Sequence, residues 1–123
     1  MLYQDFDLSS IATATTSGRR IVDPVIDAFA SAMSRGDRAA LLAVYPHPTA
    51  DTLAVLGKRP RGYNMRIDNR FMVSDSRGRP QIILSVVHES LSASGAREER
   101  PQSITITLDY VEKTWQIVDS QYR

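Results

Sequence analysis

The chain has 123 residues, 42% hydrophobic and 24% charged, the proportions of one soluble globular domain with a core of its own. Fifteen Lys and Arg against fourteen Asp and Glu leave a formal charge of +1, so overall charge selects no partner. The absence of cysteine excludes disulfides, thiolate metal sites and cysteine nucleophiles, and two histidines, His47 and His88, are too few for a histidine-rich metal centre; no cofactor is expected.

Residues 1–20 are small and polar with no sustained period, and read as a leader or linker, with flexibility expected there. The domain is expected over 21–123. Asp23 is a good N-cap and Pro24 suits the first helical position. Ile21, Val25, Phe29 and Met33, joined by Val22 and Ile26, then recur at helical spacing. Gly36 ends that helix and Asp37 caps a second, which must stop near Pro46. Thr49 or Asp51 can start a short third helix that Gly57 closes.

After Gly57 the period becomes two. Tyr63, Met65, Ile67, Asn69, Phe71 and Val73 are expected on one face of a strand, with Asn64, Arg66, Asp68, Arg70 and Met72 on the other. A turn over 74–80 leads to a second strand, in which His88 continues the row Ile82, Leu84 and Val86. Residues 92–101 read as a charged loop. A third strand alternates Ile104, Ile106, Leu108 and Tyr110 with Ser103, Thr105, Thr107 and Asp109, and a fourth runs from Trp115 to Tyr122. With no helix between these strands, an antiparallel meander is the economical topology. The expected fold class is α+β, two to three N-terminal helices on one curved four-stranded antiparallel sheet.

Three passages carry a family resemblance: Phe29-Ala30-Ser31-Ala32-Met33-Ser34-Arg35-Gly36-Asp37 with Leu41, Leu42 and Tyr45 following; the long-stranded meander; and Leu108-Asp109-Tyr110 with Lys113-Thr114-Trp115-Gln116-Ile117. In order and spacing, residues 21–123 resemble the nuclear transport factor 2-like (cystatin-like cone) superfamily, in a non-catalytic bacterial-type variant. The resemblance implies a cone whose mouth can form a pocket. It lacks the superfamily's steroid-isomerase pattern, since the first helix offers Asp27 and no tyrosine.

The expected function is therefore a non-enzymatic binding or association module, one form being an accessory domain of a larger bacterial protein. Its partner would be a protein or a small apolar ligand, and it would form a homodimer. The expected pocket residues are Tyr45, Tyr63, Asn69 and His88. The expected interaction surface is a sheet face bearing Arg66, Arg70, Thr105 and Thr107. The alternative is a small isomerase- or cyclase-like enzyme with His88 as base and Tyr63 and Asn69 orienting the ligand. Lys58, Arg59, Arg61, Arg66, Arg70, Arg77 and Arg79 concentrate positive charge, but alternation puts Tyr63 and Phe71 on the face opposite Arg66 and Arg70, which disfavours a nucleic-acid platform. Apolar runs of a few residues predict no membrane segment. No signal-peptide pattern opens the sequence, so a cytoplasmic location is expected unless the chain is cut from a membrane-anchored protein.

Overall fold

The structure, a computed structural model, describes residues 8–123, and the side chains of residues 20–123. Three helices, α1 (Leu8–Arg35), α2 (Arg38–Val44) and α3 (Ala50–Gly57), pack against a four-stranded antiparallel sheet. Its strands are β1 (Asn64–Ser74), β2 (Pro80–Leu91), β3 (Arg97–Val111) and β4 (Thr114–Tyr122), in the meander order β1-β2-β3-β4. The α+β class with N-terminal helices is the observed one. Among the described residues no helix is long and apolar enough to cross a membrane.

Asp23 and Pro24 do not open the first helix, as their residue types led us to expect: α1 passes through both and begins at Leu8. Pro24 cannot donate to the Arg20 carbonyl, a defect that ordinarily costs about 3 kcal/mol inside a helix. Val22 and Ile26 flank it and are buried, while Pro24 itself is exposed. Packing on both sides holds the helix through the defect. The expected leader over 1–20 thus includes helical backbone from residue 8; residues 1–7 lie outside the described region.

The other helix ends follow their capping residues. Gly36 takes the left-handed conformation (φ 65°), and a β-carbon there would collide with the Arg59 side chain, which reaches over it to the Ser34 carbonyl. The Asp37 carboxylate accepts from the Ala40 amide at 3.0 Å. Thr49 is the N-cap of α3, accepting from the Thr52 amide.

The core lies between the helices and one face of the sheet: Ile26, Phe29, Met33 and Leu41 meet Ile82, Leu84, Ile104, Ile106, Leu108 and Ile117, all at most 2% exposed. β3 starts at Arg97, so the second half of the expected charged loop is strand, and the β2–β3 pairing runs from Leu91↔Arg97 to Gln81↔Thr107. Pro101 is tolerated because β4 ends before reaching it, the last pair being Ile104↔Tyr122, so no second neighbour needs its missing N–H.

Both edge strands carry a bulge. On β1, Ile67 pairs with Val86 and Asn69 with Ser85, leaving Asp68 unpaired. On β4, Asp119 pairs with Thr107 and Ile117 with Leu108, leaving Val118 unpaired. Each extra residue swaps the two faces beyond it. The β1 bulge overturns the expected alternation: Asn69 and Phe71 turn away from the helices, Phe71 to 60% exposure, and Arg70 and Met72 turn toward them. Arg70 is therefore not on the outer face with Arg66. Its guanidinium spans two carboxylates one turn apart on α1, Asp23 at 3.0 Å and Asp27 at 2.8 Å. At the other end of α1, the Ser34 hydroxyl accepts from the Met65 amide at 2.9 Å, which satisfies the open edge of β1 there.

Candidate ligand cleft

Beyond the reach of α1, the β2–β3 hairpin continues past the end of β4 and leaves its helix-side face opposite α3. The gap is a cleft of about 1060 Å³. Ala54 and Val55 of α3 form one wall with Lys58, its C-cap, and Pro60, and Ser90, Glu98, Glu99, Arg100 and Gln102 of the hairpin form the other. Tyr63, His88 and Tyr122 lie at its base.

His88 is 4% exposed and makes two short contacts, Nδ1 to the Tyr63 hydroxyl at 2.7 Å and Nε2 to Gln102 Oε1 at 2.6 Å. The amide oxygen can only accept, so Nε2 carries the imidazole proton and Nδ1 accepts from the phenol. Burial, with a smaller contribution from the nearby Arg100 charge, lowers the His88 pKa despite the Gln102 bond. Burial also raises the Tyr63 hydroxyl to about 12. Phenol, imidazole and amide therefore form one uncharged relay at neutral pH.

A second uncharged group lies beside it. The Ser120 hydroxyl contacts those of Tyr45 (2.9 Å), Thr49 (3.0 Å) and Thr52 (2.9 Å), and Thr52 reaches the Tyr122 hydroxyl at 2.7 Å. A serine hydroxyl donates once and accepts twice, so three partners saturate Ser120. Burial raises Tyr122 to about 12. These hydroxyls tie the α2–α3 connection to β4 and support the cleft from beneath.

Of the four residues expected in a pocket, the structure brings Tyr63 and His88 together at the cleft base. Tyr45 is fully buried below it and acts through Ser120, while Asn69 is on the opposite sheet face, placed there by the bulge. Its side chain accepts from the Arg70 amide. Sequence reasoning missed Gln102, Arg100 and Tyr122. Continuing the Ile104 row backwards across Pro101 places Gln102 and Arg100 on the cleft side, whereas the Val118 bulge hides Ser120 and Tyr122 from any simple alternation that starts at Trp115.

The expected outer surface is also altered. Arg66 is held by Asp68 (2.8 Å) and Glu89 (2.5 Å), Thr107 is 3% exposed and accepts from the Gln81 amide group, and Arg70 is on the other face. Glu89 is 5% exposed and receives Arg97 at 2.7 Å, Asn64 at 2.8 Å and Arg66. The Arg97 and Asn64 hydrogen bonds outweigh burial and hold its carboxyl down at about 2.

Among the described residues no group of three or more His, Asp or Glu could hold a metal ion. Compared with known proteins, the chain matches no family model and no curated protein.

Proposed function

We propose that this domain is a non-enzymatic binding module of the nuclear transport factor 2-like kind, and that the cleft between α3 and the β2–β3 hairpin holds a small ligand. One observation carries the reading: a cleft of ligand size over a base of uncharged, mutually satisfied hydrogen-bonding groups. A general base needs a free lone pair within reach of its substrate. The Tyr63 hydroxyl holds the His88 lone pair, and Asn69, the third member of the catalytic alternative, is on the other side of the sheet. That supports binding over proton transfer.

The test is occupancy. Naphthalenemethanol titrated into the chain is expected to saturate at one site, shifting the amide NMR signals of Tyr63, His88, Gln102 and Tyr122. Ala54→Trp fills the cleft from an exposed helix position and is expected to abolish those shifts with the fold intact. Shifts scattered over the surface, or unaffected by that substitution, would overturn the reading.

A further observation favours self-association through the outer face of the sheet. Phe71, opposite Ile83, presents a large apolar ring to solvent on the side away from the helices. A dimer in sedimentation that Phe71→Lys converts to monomer supports this part, and a wild-type monomer at high concentration defeats it.

A further inference from the structure

Four arginines are on the strands, Arg66 and Arg70 on β1 and Arg97 and Arg100 on β3. Three are held by carboxylates: Arg66 by Asp68, Glu89 and Glu99, Arg70 by Asp23 and Asp27, and Arg97 by Glu89 and Glu99. Arg100 makes no ion pair among the described residues, and it is the one that lines the cleft. Lys58, the residue that ends α3 on the facing wall, is likewise without a carboxylate partner there. A domain that pairs its other strand arginines leaves these two cations facing the same space.

Their surroundings restrict what they can receive. Arg100 acts on both His88 and Tyr63, so its charge stands close to the uncharged relay, and no described carboxylate is ion-paired with it. Its planar fork suits a carboxylate. Asp51, Glu98 and Glu99 also line the cleft; Glu99 is engaged by Arg66 and Arg97, and the other two balance the two cations, which disfavours a doubly charged phosphate ester. Asp51 is on the Tyr122 side, where its charge helps to raise that hydroxyl. Ala54, Val55 and Pro60 supply an apolar wall.

We propose that the cleft takes a small amphipathic monocarboxylate, its carboxylate on the Arg100 guanidinium with Lys58 opposite, and its apolar body along Ala54, Val55 and Pro60. This rests on the binding reading above and adds the charge and shape of the ligand.

The experiment compares three isosteric probes on the full chain: naphthoate, naphthalenemethanol and naphthylmethylamine. Naphthoate is expected to bind about tenfold or more tightly than the alcohol at low salt, with the amine weakest. Arg100→Gln, at an exposed position outside the core, is expected to bring naphthoate down toward the alcohol's affinity and to affect the alcohol far less. Arg100→Lys should retain part of the preference, and added salt should weaken naphthoate alone. Naphthoate no tighter than the alcohol, or indifferent to Arg100→Gln, overturns the monocarboxylate while leaving the cleft as a binding site. If none of the three probes binds, both readings fall.

Discussion

His88 and Glu89 are consecutive residues of β2, both about 5% exposed or less, and they face opposite sides of the sheet. The sheet solves the same problem twice in different ways. On the helix side His88 stays uncharged between a phenol and an amide. On the outer side Glu89 stays ionised between two guanidinium groups and an amide. An ion needs partners that remain charged or water that can reach it, and the outer face, with Arg66 and Arg97 partly exposed, offers both. On the helix side both hydrogen-bond partners of His88 are neutral and the ring is buried, so no opposite charge holds a proton on it. An uncharged base is also what a cleft needs in order to bind an apolar body beside a charged anchor.

The two faces should respond to mutation with different severity. Ile104 is fully buried against the helices, and Thr105, its neighbour, is on the outer face. Ile104→Ala is expected to cost about 2–5 kcal/mol in urea unfolding, and Thr105→Ala no more than about 0.5 kcal/mol. Equal losses would mean that a partner covers the outer face as completely as the helices cover the inner one.

Next in size is the relay itself. His88→Ala strands the Tyr63 hydroxyl and the Gln102 amide, and about 1–3 kcal/mol of stability should go with it. His88→Gln, which can still bond both neighbours, should recover most of that loss. Similar losses for the two variants would make the imidazole's packing, and not its hydrogen bonds, the important contribution.

Acid should separate the two residues by pH. The His88 pKa is below its ordinary 6.5 in the folded chain, so as pH falls through 6.5 the unfolded chain takes up that proton first. Stability therefore drops from about pH 6.5 downward until the folded pKa is passed, and His88→Gln should flatten this part of the profile. Glu89 falls from 4.5 to about 2, so its contribution is present above 4.5 and is lost between those values. Glu89→Gln should flatten the profile there and leave the region between pH 7 and 5 unchanged.

How far these faces could be read from sequence depended on where the pairing is continuous. β2 has no bulge, and Ile82, Leu84, Val86 and His88 were legible as one row. The caps at Asp37 and Thr49 and the stop at Gly36 were legible because each is a local hydrogen bond or a local backbone conformation. β1 was legible only as far as Ile67. A bulge is a property of two strands together, and its one mark in the sequence is Asn69, a lone polar residue in an otherwise apolar row, whose side chain accepts from the Arg70 amide beside the bulge. The bulge at Val118 conceals how Ser120 and Tyr122 meet the helices. Pro101 and the charges around it disguised the start of β3, and with it Gln102 and Arg100. The cleft was thus half legible: the residues of the regular strand and its partner Tyr63 could be found, and those beyond an interruption could not.

The smallest expected effect tests the β1 bulge directly. Arg66 and Arg70 are four residues apart, and unbroken alternation would put both on the outer face; with Asp68 unpaired, Arg70 instead meets Asp23 and Asp27 of α1. All three side chains of that group are partly exposed, so solvent screens the attraction, and Arg70→Gln should cost about 1 kcal/mol or less. The diagnostic is coupling. In a double-mutant cycle, Asp27→Asn should be destabilising in the wild type and nearly silent in the Arg70→Gln background, while the same pairing with Arg66→Gln should be additive, because Arg66 faces away from α1. Coupling of Asp27 to Arg66, or to neither, would remove the bulge and return Asn69 and Phe71 to the helix side. The base of the cleft would then have to be reconsidered together with the outer face.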